Sequence, residues 1–205
     1  MKVLRIGILT LAVLFLIVGT CYAQSAEEYY TKGIDYGVAG KFEEAQQEFK
    51  KALETDPFYT PARMCLKLSE DTLKQRIKTG TALHLFKGVA YYDKDMYDEA
   101  IAEYKKAIKI NPNYAEAHCV LGAAYGCKEM CDEAIAECKK AIEINPNLAE
   151  AHGNLGAVYA YKGMFDEAIA EYKKAIKINP NYAEAHCVLG LVYAYKGGMF
   201  DEAIA

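Results

Sequence analysis

A segment of 34 residues is repeated in tandem along most of this chain. The clearest pair of copies spans residues 115–148 and 149–182, which are identical at most positions. A period of this length indicates a solenoid of helical pairs, because one unit cannot bury its own apolar face and must stack on its neighbours. The repeat therefore predicts an all-α fold that grows by addition of units and has no single central core.

The repeat also divides the chain. The three junctions at residues 111–113, 145–147 and 179–181 read Asn-Pro-Asn, and the proline ends a helix because it cannot continue one. The second asparagine, such as Asn113, precedes a glutamate by three residues, which is the spacing of a capping box. We predict a signal peptide at 1–23, a first repeat at 24–59, an orphan helix or degenerate repeat at 60–80, and tandem repeats at 81–205, which comprise units 81–114, 115–148, 149–182 and a truncated unit 183–205.

Small and aromatic residues recur at the repeat period. The small positions are Gly88, Gly122, Gly156 and Gly190 with Ala100, Ala134 and Ala168, and the aromatic ladder is Tyr91, Tyr125, Tyr159 and Tyr193. With the proline that closes each unit, this pattern resembles the tetratricopeptide repeat (TPR) family over nearly everything after residue 25. The resemblance implies a right-handed α-solenoid of helix-turn-helix units that binds other polypeptides.

The N-terminal segment has a different composition from the repeats. Lys2 and Arg5 precede an almost wholly apolar stretch, and Ala23 supplies a small residue for cleavage. This layout predicts a signal peptide cleaved after Ala23, since an apolar run of about 13 residues is shorter than the roughly 20 that cross a bilayer. A lipid anchor at Cys21 and an uncleaved membrane anchor are the alternatives. All three place the repeats outside the cytoplasm, in the periplasm or cell envelope of a bacterium.

The four histidines occupy one repeat position, where the TPR family usually has a bulky residue such as tryptophan. They are His84, His118, His152 and His186. Successive copies are separated by at least a helix-packing distance, so they cannot ligate one metal ion. We expect them to pack in the core, and we predict no metal site.

Cysteines are concentrated in the unit 115–148. Within it, Cys127 and Cys131 lie four residues apart across the turn between two helices, which permits a possible disulfide if the backbone allows it. The alternative is that both stay reduced and pack as small apolar residues.

In the TPR family the first helix of each unit lines a concave groove where ligands usually lie. Carried over by the repeat, the groove residues are Leu85, Val89, Tyr92, Glu116, Cys119, Ala123, Cys127, Glu150, Asn154, Ala157, Tyr161, Glu184, Cys187, Leu191 and Tyr195. The surface is small, apolar and aromatic with an acidic margin. Family members that grip an acidic C-terminus use lysine, arginine and asparagine there, and only Asn154 matches that set. An extended or helical peptide with apolar and basic side chains fits this surface better.

The net charge and the absence of catalytic motifs argue against several classes of function. A net charge of −4 argues against a nucleic-acid surface. The chain lacks a nucleophile–base pair, a phosphate-binding glycine loop and a metal cluster, so we expect no catalysis and no cofactor. Membrane contact is expected only through an uncleaved or lipidated N-terminus, and the sequence leaves the oligomeric state open.

We therefore expect an exported protein–protein interaction scaffold that binds partner polypeptides in its groove, in envelope assembly or secretion. Two alternatives remain at this stage. The chain could be the N-terminal binding arm of a larger enzyme, such as a glycosyltransferase, or it could be a structural envelope lipoprotein.

Overall fold

A computed structural model describes residues 25–196, with the side chains of residues 195 and 196 excepted. Regular secondary structure in this range is entirely α-helical. The helices are α1 (25–38), α2 (Phe42–Thr55), α3 (Thr60–Leu73), α4 (Thr79–Tyr92), α5 (Tyr97–Ile110), α6 (Ala115–Cys127), α7 (Cys131–Ile144), α8 (Ala149–Tyr161), α9 (Phe165–Ile178) and α10 (Ala183–Lys196). The predicted signal peptide, with Cys21, lies outside the described residues. Within residues 25–196, none of the helices has the length and hydropathy that a bilayer crossing requires.

The chain divides into two compact units, the first ending at Arg76 and the second beginning at Ile77. In the first unit α1 packs closely on α2, because Gly33 leaves room for the fully buried ring of Phe49. Any Cβ at Gly33 would clash with that ring. The third helix, α3, contacts α2 and lies in the segment 60–80, where the sequence predicts an orphan helix or a degenerate repeat.

The second unit is a succession of helical pairs: α4 with α5, α6 with α7, and α8 with α9, followed by α10. The second helix of each pair also contacts the first helix of the next pair. In addition, α8 contacts both α6 and α10, so these first helices adjoin one another directly. The first helices α6, α8 and α10 therefore form one continuous face of the second unit.

Differences in burial follow from this arrangement. The second helices are amphipathic: α5 buries Ala100, Ile101, Tyr104 and Ala107, which share one side at helical spacing. By contrast, α6 is contacted by α5, α7 and α8 and buries residues on several of its sides. Small residues at these contacts allow the helices to approach closely. On α6, a Cβ added at Gly122 would lie 2.6 Å from Cys138 Sγ.

The turn inside each helical pair places one residue in the left-handed region. These residues are Gly40, Asp95, Glu129 and Gly163, with φ of 76°, 58°, 59° and 73°. A left-handed residue just after a helix is a common way to end it, and glycine adopts this conformation at least cost. The turn is thus the same in four repeats, although only two of them have glycine.

The predicted capping box is wrong. The residue before α6 is Tyr114 and the one before α8 is Leu148, and neither makes a side-chain capping hydrogen bond. The side chain that acts in the turn is that of the first asparagine of the junction: Asn145 Oδ1 accepts a hydrogen bond from the backbone N–H of Asn147 at 3.1 Å. Asparagine competes for backbone N–H groups in this way in many turns. The helices consequently begin one residue later than a capping asparagine such as Asn113 requires.

Candidate functional site

The residues predicted to line the groove differ widely in exposure. Leu85, Val89 and Cys119 are buried. Tyr92, Glu116, Ala123, Glu150 and Asn154 are half-buried. Cys127, Ala157, Tyr161, Glu184, Cys187 and Leu191 are exposed. The side chain of Tyr195 lies outside the described residues. The surface available to a partner is therefore smaller than the sequence predicts.

The buried residues among those predicted to line the groove pack in the core below the exposed face. Cys119 of α6 packs in a cluster with Ala141 of α7, with Leu148 just before α8, and with Ala151 of α8. The cluster lies where α6, α7 and α8 meet. Burial raises the pKa of the Cys119 thiol well above its ordinary value, so this thiol stays protonated at neutral pH. Leu85 and Val89 are buried in the same way on α4. These three side chains pack the helices together and expose almost no surface.

Asn154 joins two neighbouring first helices. Its side-chain amide on α8 donates a hydrogen bond to the backbone carbonyl of Cys119 on α6 at 3.3 Å, and it lies 3.4 Å from the sulfur of the same residue. Its donor is therefore already used inside the protein. This asparagine fixes the spacing of α6 and α8.

A second contact between repeats involves Tyr92 and Cys127. The hydroxyl of Tyr92 lies 3.1 Å from Cys127 Sγ, and its ring meets that of Tyr97 edge-on with centroids 5.4 Å apart. Burial, and then the hydrogen bond with Cys127, raises the pKa of the Tyr92 hydroxyl. Cys127 and Cys131 are both free cysteines in the structure, the first exposed and the second half-buried. The possible disulfide between them stays a prediction.

The exposed part of the face carries large apolar side chains. The Tyr161 side chain at the end of α8 is 65% exposed, and Leu191 on α10 is 47% exposed. A hydrogen bond with Glu129 raises the pKa of the Tyr161 hydroxyl, which places this ring beside the turn of the preceding repeat. Aromatic and aliphatic groups that remain exposed on an interaction scaffold are common contact points for partners.

The charges of the face are acidic. Helices α6 and α8 contain no lysine or arginine, whereas the second helices α5 and α9 contain three lysines each and α7 contains two. The first helices instead carry Glu116, Glu150 and Glu184 at one repeat position. Partial burial, and then the charge of Glu150, raises the pKa of the Glu184 carboxyl. Helices α6, α8 and α10 therefore present acidic groups beside the apolar groups of the face.

The histidines make contacts that the sequence analysis missed. Nδ1 lies 2.6 Å from a glutamate oxygen of the second helix in three repeats, and the pairs are His84 with Glu103, His118 with Glu137, and His152 with Glu171. The partner follows 19 residues after each histidine, and this constant spacing was the available signal. His118 and His152 are buried, as the packing prediction expects. His84 is half-buried and His186 is exposed, so the prediction is wrong for His186. No group of three or more metal-ligating side chains is found within residues 25–196.

The stacked helical pairs and their continuous first-helix face define a repeat scaffold for protein–protein interaction. Sequence profiles identify the family: a profile described as TPR repeat matches residues 88–126, 131–163 and 158–197, and one described as tetratricopeptide repeat matches residues 39–59. The chain belongs to the tetratricopeptide repeat family. Members of this family are generally scaffolds without enzymatic activity. A comparison with curated protein sequences finds no match.

Solved structures show the same fold. The first TPR of Spaghetti (RPAP3), bound to the HSP90 peptide SRMEEVD, aligns with a TM-score of 0.56 and 23% identity over 59% of this chain and 97% of that chain. MamA aligns with a TM-score of 0.54 and 30% identity over 84% of this chain and 88% of its own. The OM64 TPR domain of Arabidopsis aligns with a TM-score of 0.53 and 24% identity over 57% and 96% of the two chains. The predicted all-α solenoid of TPR units is confirmed.

Proposed function

We propose that the chain is an exported scaffold that binds a segment of a partner polypeptide along its first helices, in envelope assembly or secretion. The observation that carries this proposal is the continuous face of α6, α8 and α10, on which Tyr161 and Leu191 are exposed. A solvent-exposed tyrosine and leucine gain free energy when a partner covers them, because apolar area is removed from water.

The charge of this face indicates the chemistry of the partner. The HSP90 peptide SRMEEVD held by the first TPR of Spaghetti (RPAP3) has an acidic end. In this chain α6, α8 and α10 carry glutamates, and α6 and α8 contain no lysine or arginine to receive such an end. A segment with apolar side chains and nearby lysine or arginine complements the face, since opposite charges favour encounter and fix orientation.

A random peptide library displayed on phage and panned against the full chain tests this proposal. We expect the enriched peptides to combine apolar residues with lysine or arginine, and we expect SRMEEVD to show no binding in the same assay. Ala157→Lys should weaken the best synthetic peptide at least tenfold by fluorescence polarisation. The new cation adds bulk to an exposed groove position on α8 and repels a basic ligand.

Ala170→Lys is the matched control. Ala170 is also an exposed helical alanine of the same repeat, but it lies on the second helix α9. Both substitutions leave the core intact, because lysine is a good helix former at an exposed position. Equal loss of binding in the two variants, or enrichment of acidic peptides, would reject the first-helix face as the binding site.

Export is a separate part of the proposal, and it rests on the sequence of residues 1–23. When the chain is produced in a bacterium, mass spectrometry of the envelope fraction should find a mature form that begins at Gln24. The same chain with residues 2–23 deleted should stay in the cytoplasm. An intact N-terminus in the cytoplasmic fraction of the full chain would contradict export.

A further inference from the structure

Two histidines of the second unit lie between three parts of the repeat array. His118 on α6 has Nδ1 2.6 Å from Glu137 Oε2 on α7, and Nε2 2.9 Å from the backbone carbonyl of Pro112. Pro112 belongs to the turn that closes the preceding repeat. One ring thus contacts both helices of its own repeat and the turn before it.

His152 repeats this geometry in the next unit. Its Nδ1 lies 2.6 Å from Glu171 Oε2 on α9, and its Nε2 lies 3.2 Å from the carbonyl oxygen of Pro146. Both rings are buried, with 7% of His118 and 5% of His152 exposed. The arrangement therefore belongs to the repeat and is held away from water in both copies.

The partners of each ring are acceptors on both sides. A carbonyl oxygen can only accept a hydrogen bond, and an ionised carboxylate can also only accept. A ring that bonds to both must carry a proton on each nitrogen, which makes it an imidazolium. If the ring loses one proton, the bare nitrogen faces an acceptor in a buried place, and one of the two contacts is lost.

We propose that His118 and His152 are proton-dependent clamps, each holding the two helices of its repeat to the preceding turn while its ring carries both protons, and releasing one of these contacts when it loses a proton. This inference does not depend on the proposed partner binding.

The charged groups that face His118 are Glu137 and Lys140 of α7. Burial is the largest influence and lowers the pKa of this imidazole. The bonds with Glu137 and the Pro112 carbonyl together outweigh it, although Lys140 opposes them, so the pKa of His118 is raised above its ordinary value of 6.5. Around His152 the facing charges are Glu171 and, behind it, Lys174. Burial raises the pKa of the Glu171 carboxyl, but the hydrogen bonds from Lys174 and His152 outweigh it, so this pKa is lowered.

The direction of the pH response follows from these shifts. A group whose pKa is higher in the folded state than in the unfolded chain stabilises the fold fully below the unfolded value. That contribution of His118 is lost as pH rises from 6.5 through the folded-state pKa. The lowered pKa of Glu171 affects stability at acidic pH. Ionised Glu171 stabilises the fold, and this stabilisation is lost as pH falls from 4.5 through the folded-state pKa.

His84 offers a comparison within the same chain. Its Nδ1 bonds to Glu103 at 2.6 Å, but the residues described place no hydrogen-bond partner against its Nε2. The segment before α4 also lacks the Asn-Pro-Asn turn of the later repeats. A neutral His84 ring with its proton on Nδ1 satisfies its one contact, so the geometry does not require an imidazolium there.

Nitrogen-15 NMR of the histidine rings in the full chain tests the proposal directly. At pH 6, His118 should show two slowly exchanging ring N–H signals, because each nitrogen faces an acceptor. His152, which has the same two kinds of acceptor, should show two slowly exchanging N–H signals whenever its ring carries both protons. His84 should show one slowly exchanging N–H signal at most, because only its Nδ1 has a described partner. The titration midpoint of His118 should lie above 6.5. An unprotonated ring nitrogen of His118 at pH 6, a midpoint of His118 at or below 6.5, or rapid exchange of both N–H groups of a doubly protonated His152 ring would overturn the proposal.

Unfolding midpoints in urea, measured from pH 5 to pH 9, provide the second readout. The full chain should lose stability as pH rises above 6.5, and the variant with His118→Phe and His152→Phe should lose most of this pH dependence. If that variant does not fold, Glu137→Gln with Glu171→Gln serves the same purpose, because it removes the two charges and keeps the side-chain shape. A pH dependence equal to that of the unsubstituted chain in the variant that folds would also overturn the proposal.

Discussion

Replacement of Tyr104 with alanine is expected to lower the free energy of unfolding by about 3–5 kcal/mol, the cost typical of removing a large buried aromatic side chain. Tyr104 on α5 is 1% exposed, and its ring lies against Gly88 of α4, where any Cβ would clash with it. Without the ring, the two helices of the repeat have a cavity between them that the backbone closes only in part. Urea unfolding followed by circular dichroism at 222 nm measures the change.

Tyr161→Ala is the control, because it removes the same side chain from a position that is 65% exposed. Its effect on the free energy of unfolding should stay within about 0.5 kcal/mol. Similar losses in the two variants would mean that Tyr104 does not fill the contact between α4 and α5.

Gly122→Ala is expected to destabilise the second unit by about 1–3 kcal/mol through overpacking. The added methyl group would lie 2.6 Å from Cys138 Sγ and 3.3 Å from the backbone oxygen of Ala134 on α7. The sulfur can move a little, but the backbone of α7 cannot yield without shifting the whole helix. The substitution should therefore separate α6 from α7.

Gly126→Ala on the same helix, one turn later, should have the opposite sign. Its methyl group would lie 3.6 Å from Val158 Cγ2, which is ordinary contact. Alanine is favoured over glycine within a helix by up to about 1 kcal/mol, so stability should rise slightly. Comparison of the two variants separates steric cost from helix propensity. Destabilisation by both, or by neither, would contradict the close approach described for Gly122.

The helices of the second unit were predictable because their apolar residues recur at helical spacing within each 34-residue repeat. That pattern predicts two packed helices for each repeat. Helices α6 and α8 begin at Ala115 and Ala149, where the repeat pattern places the start of a unit. The small residue at Gly122 indicates a close contact between helices before any coordinates are known. These features depend on local spacing along the chain, which a sequence displays directly.

The candidate site was less predictable because its properties depend on how neighbouring repeats touch. Position within a repeat suggested that Leu85 and Cys119 line the groove, but adjoining helices bury both. The donor of Asn154 is likewise used by the carbonyl of Cys119, 35 residues earlier. No pattern within one unit specifies how much of a first helix the next unit covers.

The histidines illustrate the same limit. Their shared position suggested packing, which holds for His118 and His152 but not for the exposed His186. A buried imidazole also needs partners for its nitrogens. Those partners, such as Glu137 and the carbonyl of Pro112, come from the second helix and from the preceding turn. The constant separation from glutamate was visible in the sequence, whereas a backbone carbonyl has no sequence signature.

The left-handed turn inside each helical pair has an energetic consequence. Glycine adopts its φ of 73° at position 163 with little cost, whereas Asp95 and Glu129 hold φ of 58° and 59° against a penalty of about 1–2 kcal/mol for an L side chain. Packing of the flanking helices fixes the left-handed conformation at this turn position, whichever residue is found there. The turns at Asp95 and Glu129 therefore carry backbone strain that the turn at Gly163 does not. Repeats that are alike in sequence and fold thus differ in how much of their packing energy is needed to hold a turn.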